Sequence, residues 1–196
     1  GPANGFARKL TLDGGALDPT PDLYDHAFVL FALAWHHKAS GDQNTRDWMH
    51  RTLDYIETHM RVSGGEGFWH ELPPKGWRQQ NPHMHLTEAC LAAFEATGEA
   101  RFSTLAKDII EVFKARFFDV ETQTLAEFFT EDLARAPGDD GRIVEPGHHR
   151  VVPEPAGAVL ALDAGEALFD DHRVARRQEA LERFHFTTIV GRFVRR

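Results

Sequence analysis

The chain has 196 residues, 42% of them hydrophobic and 27% charged, which is enough apolar material for one domain with a full core and too much for wholesale disorder. A net charge of −8 argues against nucleic acid or an anionic membrane as the main partner, since both require a basic footprint. The lone Cys90 cannot close an internal disulfide, and no apolar run reaches the ~18 residues of a membrane span, so a reducing, cytoplasmic setting is expected.

The first residue is Gly rather than Met, and the chain is expected to be a piece of a longer one. After "PDLYDH", the segment "AFVLFALAW" (27–35) is apolar on every face, which predicts a helix buried all round. Asp25 either caps this helix or, with His26, reaches the space above it. The helix stops at Gly41. "TRDWMHRTLDYIETHM" follows, with Trp48, Thr52, Leu53, Ile56 and Met60 at helical spacing and charges between them, an amphipathic helix with one wet face. "GGEGFWHELP" (64–73) reads as a short ribbon or loop.

The pattern then repeats. "HLTEACLAAFEATG" (85–98) is mostly apolar and ends at Gly98. In the next segment Phe102, Leu105, Ala106, Ile109, Val112, Phe113 and Phe117 form a stripe. Gly41 and Gly98 lie 57 residues apart, as do Tyr24 and Asn81, and His85 to His148 is a step of 63. A period near 60, with a buried helix followed by a half-buried one, predicts repeated helix hairpins in two concentric layers, an all-α toroid. The segments leading into the inner helices, "PDLYDHAF", "RQQNPHMH" and "IVEPGHH", would then converge on one mouth.

His85 and His148 are the candidate catalytic residues, because imidazole can take and return a proton near neutral pH. Tyr24 and Asn81 share a register and offer a hydroxyl and an amide suited to sugar hydroxyls. Trp69 and Trp77 either stack on a sugar or pack in the core, and His36 and His37 read as capping or surface groups. A metal site built from His83, His85, Glu88, His148 and His149 is the weaker alternative, since His83 and His85 would diverge on a helix. No metal or other cofactor is expected, and no phosphate-binding glycine loop or nucleophile elbow is present.

"DLYDHAFVLFALA", "QNPHMHLTEA" and "EPGHH" resemble the signature segments of the N-acylglucosamine 2-epimerase family, which includes cellobiose 2-epimerases and mannose-type aldose–ketose isomerases. The resemblance spans roughly residues 6–149 and implies an (α/α)6-barrel, of which this chain supplies about half the ring. It implies chemistry at C2 of an open-chain sugar through an enediolate, with one histidine removing the proton and another returning it. His148 matches one member of that acid/base pair and His85 the inner-helix histidine near the sugar oxygens. Asn81 and Tyr24 match substrate-contacting positions. A small-molecule sugar is the implied partner. The inner helices of a partial ring would expose apolar surface, so self-association as a homodimer is also expected.

The departures from the family matter as much as the likeness. Val151 stands where the family has Glu three residues after the histidine, and Pro153 and Pro155 would interrupt the next inner helix. The family's second acid/base histidine and its early substrate-binding arginine have no counterpart in this chain. Residues 150–196 hold eight of the seventeen arginines and none of the five lysines. The expectation is a partial α/α-barrel domain over 1–149 followed by a divergent helical tail over 150–196, produced either by a shift of reading frame or by a genuine divergent helix. A non-catalytic carbohydrate-binding fragment is the alternative to an enzyme.

Overall fold

A computed structural model of the chain describes residues 5–122 and 124–145. His148, His149, the Pro-Gly turn before them and the whole of 150–196 lie outside the described residues. The first helix, α1 (Leu23–Ser40), starts at Asp22, whose Oδ1 accepts the N–H groups of Tyr24 at 2.8 Å and Asp25 at 3.3 Å. Asp22, not Asp25, is therefore the cap. Gly41 ends the helix at φ 68°, a left-handed conformation that costs an L side chain ~1–2 kcal/mol, and its N–H donates to His37 O at 2.7 Å. The second helix, α2 (Gln43–Tyr55), is capped by Asp42 and continues into a π-helical turn, Ile56–Met60.

The second hairpin copies the first at an offset of 57 residues. Helix α3 (Gln80–Thr97) ends at Gly98, φ 71°, and α4 (Ala100–Val112) runs into a π-helical turn, Phe113–Phe117. Sequence patterning placed the start of α3 at His85, five residues late. Pro82 sits in the first helical turn, where its missing N–H has no intrahelical partner to lose. Asn81, His83 and His85 are thus helical residues rather than members of a loop.

The inner helices α1 and α3 pack on each other, and each packs on its own outer partner. Between the layers lie Leu30, Met49, Leu53, Ile56, Met60, Leu86, Phe102, Leu105 and Ile109, all essentially excluded from solvent. On α2 the inward residue is Met49, while Trp48, expected in the stripe, is 37% exposed. The stripe expected on α4 and its π turn is buried throughout. Helix α1 departs from the all-round burial expected of it: Tyr24, Phe28 and Trp35 remain 38–39% exposed, because α2 and α3 cover only part of its circumference.

Among the described residues, strand structure is limited to short ribbons before and after the helix hairpins. In chain order these are β1 (Lys9–Leu10) with β2 (Ala16–Asp18), β3 (Arg78–Gln79) with β6 (Phe128–Phe129), and β4 (Phe118–Asp119) with β5 (Thr124–Leu125), all antiparallel. The junction bonds repeat with the helices. Leu23 N–H donates to His70 O at 2.8 Å, and Gln80 N–H to Glu127 O at 3.1 Å. Trp69 N–H reaches Met60 O, and Ala126 N–H reaches Phe117 O. The 64–73 segment is thus a ribbon edge that pairs through Glu71 with Asp22 beside the first inner helix. Arg8 clamps this junction through Asp22 at 2.7 Å and Glu71 at 2.6 Å.

Two buried histidines hold the same junctions. His26 Nδ1–H donates to Asp22 O at 2.6 Å while its Nε2 accepts Phe6 N–H at 3.0 Å. His83, one repeat later, donates from Nδ1 to Gln79 O at 2.8 Å and accepts Phe68 N–H at 2.9 Å. Each ring must be neutral, because protonating Nε2 removes the acceptor. Burial pushes the His83 imidazole down to about 3, and burial likewise lowers those of His26 and His70. A histidine depressed in the folded state binds its proton only on unfolding. This stability is present above pH ~6.5 and is lost as pH falls toward 3, at up to about 1.4 kcal/mol per pH unit for each excluded proton. Urea midpoints are therefore expected to fall between pH 7 and pH 5. His83→Gln, which does not titrate, should be less stable at pH 7 but show a shallower slope; an unchanged slope would contradict the assignment.

Candidate functional site

Tyr24 and Phe28 lie one turn apart on α1, and Asn81 and His85 lie one turn apart on α3 at the same register. Since the two helices run side by side, the four residues form a patch two turns long and two helices wide. Inside it the His85 ring is edge-on to Tyr24 at 4.9 Å and tilted against Phe28 at 4.7 Å, and Tyr24 and Phe28 touch at 4.7 Å. Below His85 on α3, Glu88 Oε2 lies 3.1 Å from Nδ1. The side chains of His85 and Glu88 are 17% and 18% exposed, which leaves the imidazole sheltered yet reachable.

The structure therefore brings together three of the four residues expected from sequence, Tyr24, Asn81 and His85. His148, the fourth, lies outside the described residues. Asn81 Oδ1 is buried without a hydrogen-bond partner among the described residues, as is Asp25 Oδ2 in the first turn of α1. Such atoms are costly to leave unmet in a folded protein.

Other candidates are committed to the framework. Both ring nitrogens of His83 serve backbone groups, so it is a junction residue and not a partner of His85 in metal binding. His36 Nδ1 pairs with Thr45 Oγ1 and His37 Nδ1 donates to Asp42 O, as expected of residues at a helix end. Trp77 Nε1–H donates to Asp140 at 2.8 Å, and the Arg78 guanidinium lies 5.5 Å from the Trp69 ring. Two members of the patch were missed in their present roles. Phe28 lies in a run whose composition reads as all-round core, although its offset of 57 from His85 marks it as the equivalent inner-face position. Glu88 enters the sequence reading only among possible metal ligands, although its spacing from His85 places the two on one helix face.

The patch can support proton transfer. Because a carboxylate accepts and cannot donate, Nδ1 carries the hydrogen toward Glu88, and in that tautomer Nε2 carries the ring's basic lone pair. Tyr24 adds a hydroxyl beside the ring and Asn81 an amide one turn earlier on α3, and the aromatic faces of Tyr24 and Phe28 suit the C–H surface of a sugar. No helix among the described residues is long and apolar enough to cross a membrane.

A family model described as N-acylglucosamine 2-epimerase (GlcNAc 2-epimerase) matches residues 1–153. The chain is 38% identical over 154 residues to "Mannose-6-phosphate isomerase" of Rhizobium meliloti (strain 1021), covering 75% of this chain and 39% of that protein. It is 31% identical to "D-mannose isomerase" of Thermobifida fusca, covering 66% and 33% of the two chains. Among solved structures it resembles the cellobiose 2-epimerase from Spirochaeta thermophila DSM 6192, with a TM-score of 0.61, 29% identity, and coverage of 66% and 36%. A D-mannose isomerase structure at 24% identity and a TM-score of 0.54 shares the fold, with coverage of 64% and 36%. The chain thus spans between a third and two fifths of the length of these relatives, and its helices form part of an α/α barrel.

Proposed function

Because this chain belongs to the N-acylglucosamine 2-epimerase family, we propose that it serves a sugar epimerase or aldose–ketose isomerase reaction at C2 of an open-chain sugar. The observation that carries the reading is the His85 imidazole, held by a carboxylate on one side and bordered by Tyr24 and Phe28 on the other, one turn from Asn81. In this reading the carbonyl at C1 acidifies the C2 hydrogen, and its removal gives an enediolate. A proton returned to C2 on the opposite face yields the epimer; returned to C1, it yields the ketose. His85 Nε2 moves protons between the sugar oxygens and the ring, while His148 is the proposed partner that exchanges the carbon-bound hydrogen. Tyr24 and Asn81 would hold sugar hydroxyls and fix which face of C2 is presented. Orientation of this kind accounts for a large part of the rate in such reactions, since it replaces a bimolecular encounter by a positioned one.

The test is hydrogen exchange from solvent. The chain is incubated in D2O with mannose, glucose, cellobiose or N-acetylmannosamine, and C2 is followed by NMR. Label at C2 of one of these sugars, above the rate without protein, is the expected result. Sugar binding without label in any of them would replace the enzyme reading with that of a carbohydrate-binding module, and neither binding nor label would remove both.

A further inference from the structure

The 57-residue repeat provides an internal comparison for the patch. At the register of His85 and Glu88, the first hairpin carries Phe28 and Phe31, two aromatic side chains on the same helix face. The fold itself therefore does not require polar groups there, and an apolar pair satisfies the same geometry. In the second hairpin both positions have become polar together, and the two side chains meet at 3.1 Å between Nδ1 and Oε2. Neither is a surface pair in the usual sense, because each side chain keeps less than a fifth of its exposure. A half-sheltered carboxylate directed at one nitrogen of an imidazole fixes both the orientation of the ring and the nitrogen that carries the hydrogen.

We propose that Glu88 is the positioning residue for His85, holding Nδ1–H so that Nε2 is the nitrogen presented to the substrate. This assignment rests on the functional reading of His85 given above. Glu88 does not touch the sugar; it acts through the ring. Tyr24 and Phe28 block rotation of the imidazole from the α1 side, and Glu88 selects its tautomer from the α3 side. Without the carboxylate, the ring could flip or populate the Nε2–H form, which cannot accept a proton where the sugar lies.

The experiment reads the tautomer directly. Long-range 1H–15N spectra of the histidine-labelled chain at pH 8 are compared for wild type, Glu88→Gln and Glu88→Asp, with His85→Asn used to assign the signal. The Nδ1–H pattern is expected for His85 in wild type, and it should survive in Glu88→Asp. In Glu88→Gln, whose amide can turn either end toward the ring, the Nε2–H form should become substantial. A wild-type ring already in the Nε2–H form, or an Nδ1–H pattern unaltered in Glu88→Gln, would overturn the proposal. Where Glu88→Gln does not fold, judged by circular dichroism, the wild-type tautomer and Glu88→Asp decide. In the C2-exchange assay, Glu88→Gln should lose on the order of 10- to 100-fold in kcat with KM little changed, and Glu88→Asp should recover part of it. A raised KM at constant kcat would make Glu88 a binding residue instead. The spectra need no turnover, so failure of wild type to exchange sugar hydrogen would count against the proposed function and leave the tautomer result standing.

Discussion

Replacing His85 with asparagine is expected to slow hydrogen exchange at C2 of the sugar by roughly 10²- to 10⁴-fold, the range of a positioned acid or base. Asparagine keeps a polar group near Glu88 and Tyr24 but cannot take up a proton. The side chain is partly exposed and lies at the edge of the core, so the thermal midpoint should move little. That combination separates a chemical role from a structural one. Exchange in His85→Asn at the wild-type rate would remove the residue from the reaction, whatever the variant's stability.

The largest loss of stability is expected from Phe117→Ala. Phe117 is 1% exposed and stands where several parts of the second hairpin meet. Its ring lies 5.0 Å from Phe113, 4.7 Å from Phe129 and 5.3 Å from His83. Truncation leaves a cavity between the π-helical turn, the β6 ribbon and the start of α3, at a cost of about 3–5 kcal/mol. Set against the ~5–15 kcal/mol that holds a typical domain, this is a large fraction. Chemical denaturation should show it as a lowered midpoint at similar slope. A loss under about 1 kcal/mol would mean that the ribbon is not part of the cooperative unit.

Much of this arrangement is legible in the amino-acid sequence. Gly41 and Gly98 mark the ends of the inner helices because only a left-handed residue closes a helix in that way, and their spacing carries the repeat. The stripe on α4 is readable because its apolar residues face one side only. Trp48 misleads because α2 offers two large apolar neighbours, Trp48 and Met49, and periodicity alone cannot tell which one points inward. The start of α3 was obscured by Pro82, a helix breaker anywhere but the first turn.

The histidines show where local reading ends. His83 and His85 look alike in "NPHMHL", yet one is wholly buried between backbone groups and the other faces Tyr24 and Phe28. What separates them is a distant amide, Phe68 N–H, that needs an acceptor, and no pattern around residue 83 announces it. The repeat did contain the clue. His26 stands 57 residues before His83 and makes the equivalent bonds, whereas the residue 57 before His85 is Phe28. Of the two described hairpins, the histidine present in both belongs to the framework, and His85, present in the second alone, is the candidate for chemistry.

The main-chain closure of each hairpin bears on how such a protein can change over generations. Each inner helix is tied to the ribbon that follows its own outer helix through main-chain amides and carbonyls, Leu23 with His70 and Gln80 with Glu127, and these groups exist whatever side chains the inner helix carries. Mutational drift on the exposed face of the inner helices is therefore uncoupled from this closure. A phenyl group at 28 and an imidazole at 85 occupy matching seats without disturbing the docking of their helices. An architecture of this kind can try new chemistries one hairpin at a time while its scaffold stays fixed.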